Sequence, residues 1–312
     1  MAARATRSAS GRGSASGSSD DASRCLLLEL SHDELGVIFD GLADPLQPVV
    51  AVAFSSTCLG LRTPLQAAIE LLKTQHASAV ALCSSVRTTG HPCSCALMRD
   101  AENLDLTALN ADDMGTLAMI LGTNGLPMLQ RLVLFGGDFG DEGMQALCEG
   151  LRHGGAPSLT FFACHSNQVG PAGAEALATA LRKGALPKLV TLALGSNHIG
   201  TQGATALATP LRQLPALKEL VFELCEIGNE GVASLLGNLG KDDFKVLEGL
   251  HLNDTEVTDM GSATIISALK CGKLPALFRV GMKRTLSGFT PNISSAARDA
   301  LDEAIQEAIR RR

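Results

Sequence analysis

The chain has 312 residues, a formal net charge of −6 and 46% hydrophobic residues. A mild negative charge argues against a nucleic-acid footprint, which needs Lys and Arg clustered on one face. No run reaches the roughly 20 apolar residues of a membrane helix. Trp and Tyr are absent, which removes base stacking and the usual aromatic anchors of tight interfaces.

Residues 1–23 are Ala, Arg, Gly and Ser, without an apolar core, and read as a disordered tail. Arg4, Arg7 and Arg12 precede any acid, so the tail also has the composition of an organelle transit peptide. Its Gly content opposes an amphipathic helix, and a flexible tail on a cytoplasmic or nuclear protein is the plainer expectation.

Residues 24–75 are expected to be helical. Ser31 and Glu34 have capping-box spacing, and Leu35, Ile38, Phe39 and Leu42 recur on one helical face. Gly36 interrupts this helix, and Asp44-Pro45 ends it. An apolar stretch from Val49 to Phe54 leads to Cys58 and Leu61, and a third helix after Pro64 runs through Ile69 and Leu72. The order of Leu30, Glu34, Ile38, Phe39, Leu42, Pro45 and Cys58 resembles the F-box, whose consensus is near L-P-x-E-L-L-x-x-I-F-x-x-L-x-P followed by V-C-x-x-W. Ser31 stands in place of the usual Pro, and Leu61 stands near the Trp position. The resemblance implies docking to the Skp-family adaptor of a cullin-RING ubiquitin ligase through Leu30, Leu35, Ile38 and Phe39. A three-helix cap on the first repeat would show the same amphipathicity.

Residues 76–99 are expected to be a linker. Cys83, His91, Cys93 and Cys95 lie in or near it, but C-x-C is too tight for a zinc knuckle and no second pair follows. No metal or cofactor is expected. The nine cysteines are odd in number and scattered, as in a reducing compartment.

From about Asp100 a unit of 28 or 30 residues returns, opening at Ala101, Leu129, Leu159, Leu189, Leu217, Leu247 and Leu277. Each reads L-x-x-L-x-L-x-x-N-x-I-G, then a polar turn and a helix. Leu192 and Leu194 should point inward and Thr191 and Ala193 outward. Gly143, Gly173, Gly203, Gly231 and Gly261 share one helix-start position, which suggests close packing on the neighbouring unit. Asn167 and Asn197 form a column under the turn, with Cys225 and Thr255 standing in. A period of this length marks a solenoid, in which stacking builds the core. The units resemble ribonuclease-inhibitor-like leucine-rich repeats. That resemblance implies an α/β horseshoe over residues 100–285, with a parallel sheet on its concave side. Residues 286–312 should form a capping helix with Leu301, Ala304, Ile305, Ala308 and Ile309 inward.

Outward strand positions supply the candidate partner site: Arg131, Phe135, Phe161, His165, Glu219, Glu223, His251, Asn253, Arg279 and Lys283. Phe135 and Phe161 make an apolar zone beside an acidic patch at Glu219 and Glu223 and a basic rim at Arg279 and Lys283. No Walker loop, H-E-x-x-H, G-x-S-x-G or dinucleotide fingerprint occurs, so no enzyme is expected. The functional expectation is a protein-binding module: a ubiquitin-ligase substrate receptor, or a scaffold or sensor whose head only caps the stack. Activation of a small GTPase is a third reading, although the acidic tail of the Ran-type relatives is missing.

Overall fold

The computed structural model describes residues 30–56, 61, 63–85, 87, 88, 91, 92, 94–123, 125–282 and 293–312. The expected tail, Cys58, Cys93 and Lys283 therefore lie outside the described residues.

The head opens with α1 (His32–Leu42), α2 (Val49–Ser56) and α3 (Gln66–Ser85). The capping box is formed: the Ser31 hydroxyl accepts from the Glu34 amide at 3.2 Å, and the Glu34 carboxylate accepts from the Ser31 amide at 2.8 Å. Gly36 does not interrupt α1, because the cap and the buried Leu35 and Phe39 hold the helix through it. The border expected at residue 75 falls inside α3. Leu72 packs in the core of the head, while Ala79, Leu82 and Cys83, on the same helix, belong to the core of the repeats. A short hairpin, β1 (Arg87–Thr88) with β2 (His91–Pro92), and α4 (Cys95–Arg99) complete this junction. Met98 is buried there and receives the Cys83 thiol at 3.8 Å.

The repeats alternate strand and helix: β3 (Asn103–Thr107), α5 (Ala111–Gly122), β4 (Arg131–Phe135), α6 (Gly140–Arg152), β5 (Phe161–His165), α7 (Pro171–Arg182), β6 (Thr191–Ala193), α8 (Gly200–Arg212), β7 (Glu219–Val221), α9 (Gly228–Leu236), β8 (Gly249–His251), α10 (Asp259–Lys270) and β9 (Arg279–Gly281). β3 to β9 form a parallel sheet of seven strands in sequence order. Each strand is displaced from the last by one repeat, so Leu104, Leu132, Phe162, Leu192, Leu220, Leu250 and Val280 form one row across the sheet. The first six are fully buried, and with the inner faces of α5 to α10 they build one continuous core.

After each of β3 to β8 the chain turns off the sheet through a left-handed residue, at Ala108, Gly136, Ser166, Ser196, Leu224 and Asp254. The turn leaves amides and carbonyls facing inward, where unpaired groups would cost about 1–3 kcal/mol each. The column under the turn satisfies them. The Asn197 carbonyl accepts from the amides of Asn167 and Val169, both at 3.1 Å, and its NH2 donates to the carbonyl oxygens of Cys164 and Leu194 at 2.7 and 2.8 Å. Asn167 does the same one unit earlier, accepting from Gly137 at 2.8 Å and donating to Leu134 at 3.0 Å. Cys225 donates to Leu194 at 3.1 Å, and Thr255 to Leu252 at 2.6 Å. The two substitutes give only part of the asparagine pattern, because neither has its geometry of paired donor and acceptor.

The glycine column has the expected packing role. A Cβ on Gly203 would meet Ile199 Cγ2 at 2.7 Å and Ala174 Cβ at 2.9 Å, the latter on the preceding helix. A further link was not anticipated. Asp141 Oδ1 accepts from the amides of Gly170 and Gly173, at 2.7 and 2.8 Å, and Asn229 Oδ1 from those of Thr258 and Gly261, at 2.9 and 3.0 Å. These residues, two before the column glycine of their own helix, cap the next helix instead. Asp259 continues the series by accepting from Ser294 at 2.7 Å, which seats α11 (Ser295–Arg310) on the last coil. Leu301, Ala304 and Ile305 are buried there, whereas Ile309, near the C-terminal end of the helix, is 38% exposed. Arg311 and Arg312 donate to the carbonyls of Lys270 and Leu277, which ties the end of α11 to the last coil.

Two glycine substitutions separate packing from helix propensity. Gly36 has open space around its missing side chain. Gly36→Ala should therefore stabilise by up to about 1 kcal/mol, whereas Gly203→Ala should destabilise by about 1–3 kcal/mol through overpacking. Urea unfolding of the two variants measures both signs.

Candidate functional site

The outward positions of β3 to β9 make the concave face, and alternation along each strand fixes which side chains reach it. At its N-terminal end Arg131 lies over the Phe161 ring at 4.0 Å from the centroid and 3.5 Å from Asp105 Oδ1. Asp105 Oδ1 makes no hydrogen bond of good geometry, so its pairing with Arg131 is ionic. Phe135, at the C-terminal end of β4, is 53% exposed.

The middle of the face is low. Ala163 and Ala193 are outward in register yet buried, because larger neighbours close over them. The same occurs at Gly195, where a Cβ would stand 2.8 Å from His165 Nδ1, so the imidazole lies across the bare backbone. Burial lowers the pKa of His165, partly offset by a backbone hydrogen bond to Gly195 and by the charge of Glu223. Its neutral form is favoured in the fold.

The C-terminal third holds a polar network. The Glu219 carboxylate pairs with Arg279 on one oxygen and lies 3.2 Å from His251 Nε2 on the other. Because the carboxylate can only accept, Nε2 carries the hydrogen in this bond. Glu219 lies flat over Gly249, where a Cβ would come within 1.9 Å of its oxygen. Glu223 accepts from the Asn253 NH2 at 2.6 Å, and His251 Nδ1 is 3.9 Å away. A cavity of about 580 Å³ opens beside the network, between β8, β9 and α11, with Phe278, Asp302 and Gln306 among its walls.

Of the expected partner-site residues, the fold joins Glu219, Glu223, His251, Asn253 and Arg279 into one network and places Arg131 and Phe161 in another. Phe135 and His165 pair in register at the C-terminal ends of the same two strands that carry Arg131 and Phe161. Asp302 and Gln306 escaped sequence reasoning, since nothing in a terminal helix signals which face meets the end of a sheet. In the head, Leu35 and Phe39 are buried in its core, so they hold the helices together and cannot form a docking surface without unfolding. Leu30 and Ile38 are half-buried. Among the described residues of the head, the large apolar side chains that face solvent are Val37, Val49, Val50, Val52, Leu71 and Val80. Val37 lies off the periodic face of α1, a signal available in the sequence.

Residues 125–148, 185–208 and 213–236 match a family profile described as a leucine-rich repeat, and these stretches coincide with strand–helix units of the parallel sheet. The chain carries leucine-rich repeats. The leucine-rich-repeat solenoid is similar to the tropomodulin C-terminal domain of Caenorhabditis elegans, at 14% identity and a TM-score of 0.37, covering 64% of this chain and 95% of that one. It is also similar to the leiomodin-1 actin-binding site 2, at 18% identity and a TM-score of 0.32, covering 55% of this chain and 75% of that one. A third similar structure is that of the yeast Rad7 and Elc1 complex, at 14% identity and a TM-score of 0.37, covering 64% of this chain and 55% of that one. No curated protein sequence matches the chain. Leucine-rich repeats characteristically serve protein–protein interaction, and no described helix is long and apolar enough to cross a membrane.

The lowered pKa of His165 gives a pH test. The unfolded chain takes up its proton as pH falls below about 6.5, before the folded chain does. The neutral imidazole thus contributes its full stability above that pH and loses it below. The stability difference between the natural chain and His165→Gln, measured by urea unfolding, should shift against the natural chain from pH 7.5 to pH 5.

Proposed function

We propose that this protein is a non-enzymatic substrate receptor of a cullin-RING ubiquitin ligase. In this reading the head docks a Skp-family adaptor, and the concave sheet recognises the substrate. The observation that supports it is the head's division of labour. Leu35, Phe39, Ala51, Leu61, Leu65 and Leu72 give it a core of its own, while Val37, Val49 and Val50 stay 73%, 68% and 52% exposed. Burying a valine contributes about 1.5–3 kcal/mol, so valines left this exposed are suited to a second protein. The thiols of Cys148, Cys164 and Cys225 are sealed in the repeat core, which suits a reducing cytoplasmic or nuclear setting.

The second reading is a scaffold or sensor whose helices only cap the stack. It is favoured by α3, whose Ala79, Leu82 and Cys83 are built into the solenoid core. Because α3 is shared, the test uses the full chain rather than residues 24–75. The substrate-receptor reading expects capture of a purified Skp-family adaptor, and at least about a tenfold loss with Val49→Glu plus Val50→Glu at unchanged stability. Full-length protein that fails to bind the adaptor supports the scaffold instead.

A further inference from the structure

The bonds that join successive coils change kind between the unit of β7 and α9 and the unit of β8 and α10. Asn197 donates to the preceding coil at the Cys164 carbonyl, and Cys225 does so at Leu194. Thr255 has a single hydroxyl hydrogen and donates it to Leu252 of its own coil, so the column offers no donor to the coil before. On the convex side α9 has nine residues, where α5 to α8 and α10 have 12 or 13. Where its last turn would lie, a cavity of about 760 Å³ separates α9 from α10, lined by Leu236, Leu239, Ala263, Ser267 and Cys271 among others. The end of α9 is tied backwards instead. Arg212 on α8 donates to the carbonyls of Ser234, Leu235 and Gly237, the last two at 2.9 and 2.8 Å. Thr205, also on α8, meets the Ser234 hydroxyl at 2.9 Å.

We infer that the solenoid has a seam between these two units, along which β8, α10, β9 and α11 part from the earlier coils as one body. A solenoid is held by its nearest-neighbour interfaces, so it opens first at the weakest of them. The apolar core continues through the seam, and backbone bonds of the sheet and turn cross it. So do the Asn229 cap, the surface pair of Lys218 with Glu248, and the concave network. Beyond the seam the parts hold to one another. Asp259 accepts from Ser294, Arg311 and Arg312 donate to Lys270 and Leu277, and the Ser262 hydroxyl donates to Ala297 at 3.4 Å. The concave network is the latch. Glu219 and Glu223 stand on one side of the seam, and His251, Asn253 and Arg279 stand on the other. Opening therefore takes the C-terminal part of the candidate partner site apart.

Native-state hydrogen exchange of the full chain, in urea below the unfolding transition, tests the seam. Amides of α10 and α11 should exchange through one shared opening, at least about tenfold more frequent than that of α6 and α7. Glu219→Gln removes the charge that Arg279 and His251 meet across the seam. It should speed exchange in α10 and α11 by a further factor of about ten and leave α6 and α7 unchanged. One opening common to all four helices would overturn the inference. So would protection that falls from α10 to α11 without a shared value, since that is fraying from the end. Acceleration of all four helices by Glu219→Gln, or of none, overturns it as well. The comparison within the natural chain stands even where the variant does not fold.

Discussion

The structure depends on one requirement: backbone groups turned inward at the end of each strand must find partners in a place water does not reach. The left-handed residue after each of β3 to β8 creates that need once per unit. Asn197 meets it by bonding to the turn of its own coil and to that of the coil before. The coils before Asn167 and Asn197 are therefore each fixed by their successor, and the strand register there is held by these bonds as well as by the strands. A parallel sheet of three- to five-residue strands would otherwise be free to slip. Slippage by one residue would exchange the core leucines for the outward residues that make the concave face.

The leucine, glycine and asparagine columns were legible because a solenoid writes the same constraint at the same position in each unit, and repetition exposes it. The same signal carried the outward positions, since alternation from a known inward leucine leaves little choice. Depth was not legible. Ala163, Ala193 and Gly249 stand outward in register but are buried, Gly249 under Glu219, and only the packing of side chains from adjacent strands decides that. The cross-unit caps of Asp141, Asn229 and Asp259 are written in one column but are mixed in residue type, and Pro171 and Thr201 interrupt it.

The head was less legible for a different reason. Helical periodicity gives the apolar face of α1 correctly but cannot say whether that face meets its own neighbours or a second protein. Leu35 and Phe39, assigned to docking by resemblance, are spent on the internal core. Helix α3 likewise reads as the end of one domain and the start of a linker, because its two halves serve two different cores. The consequence is mechanical. A single continuous helix ties head to solenoid, with one half packed in each core.

The central claim is that the asparagine column couples neighbouring coils as well as stabilising its own turn. Hydrogen exchange of backbone amides in Asn197→Ala tests it most directly. The amides of Asn167 and Val169 belong to the preceding coil and lose their acceptor in that variant, so they should lose protection together with the turn around Ser196. Protection lost only between residues 194 and 200, with Asn167 and Val169 exchanging as slowly as before, would contradict the account.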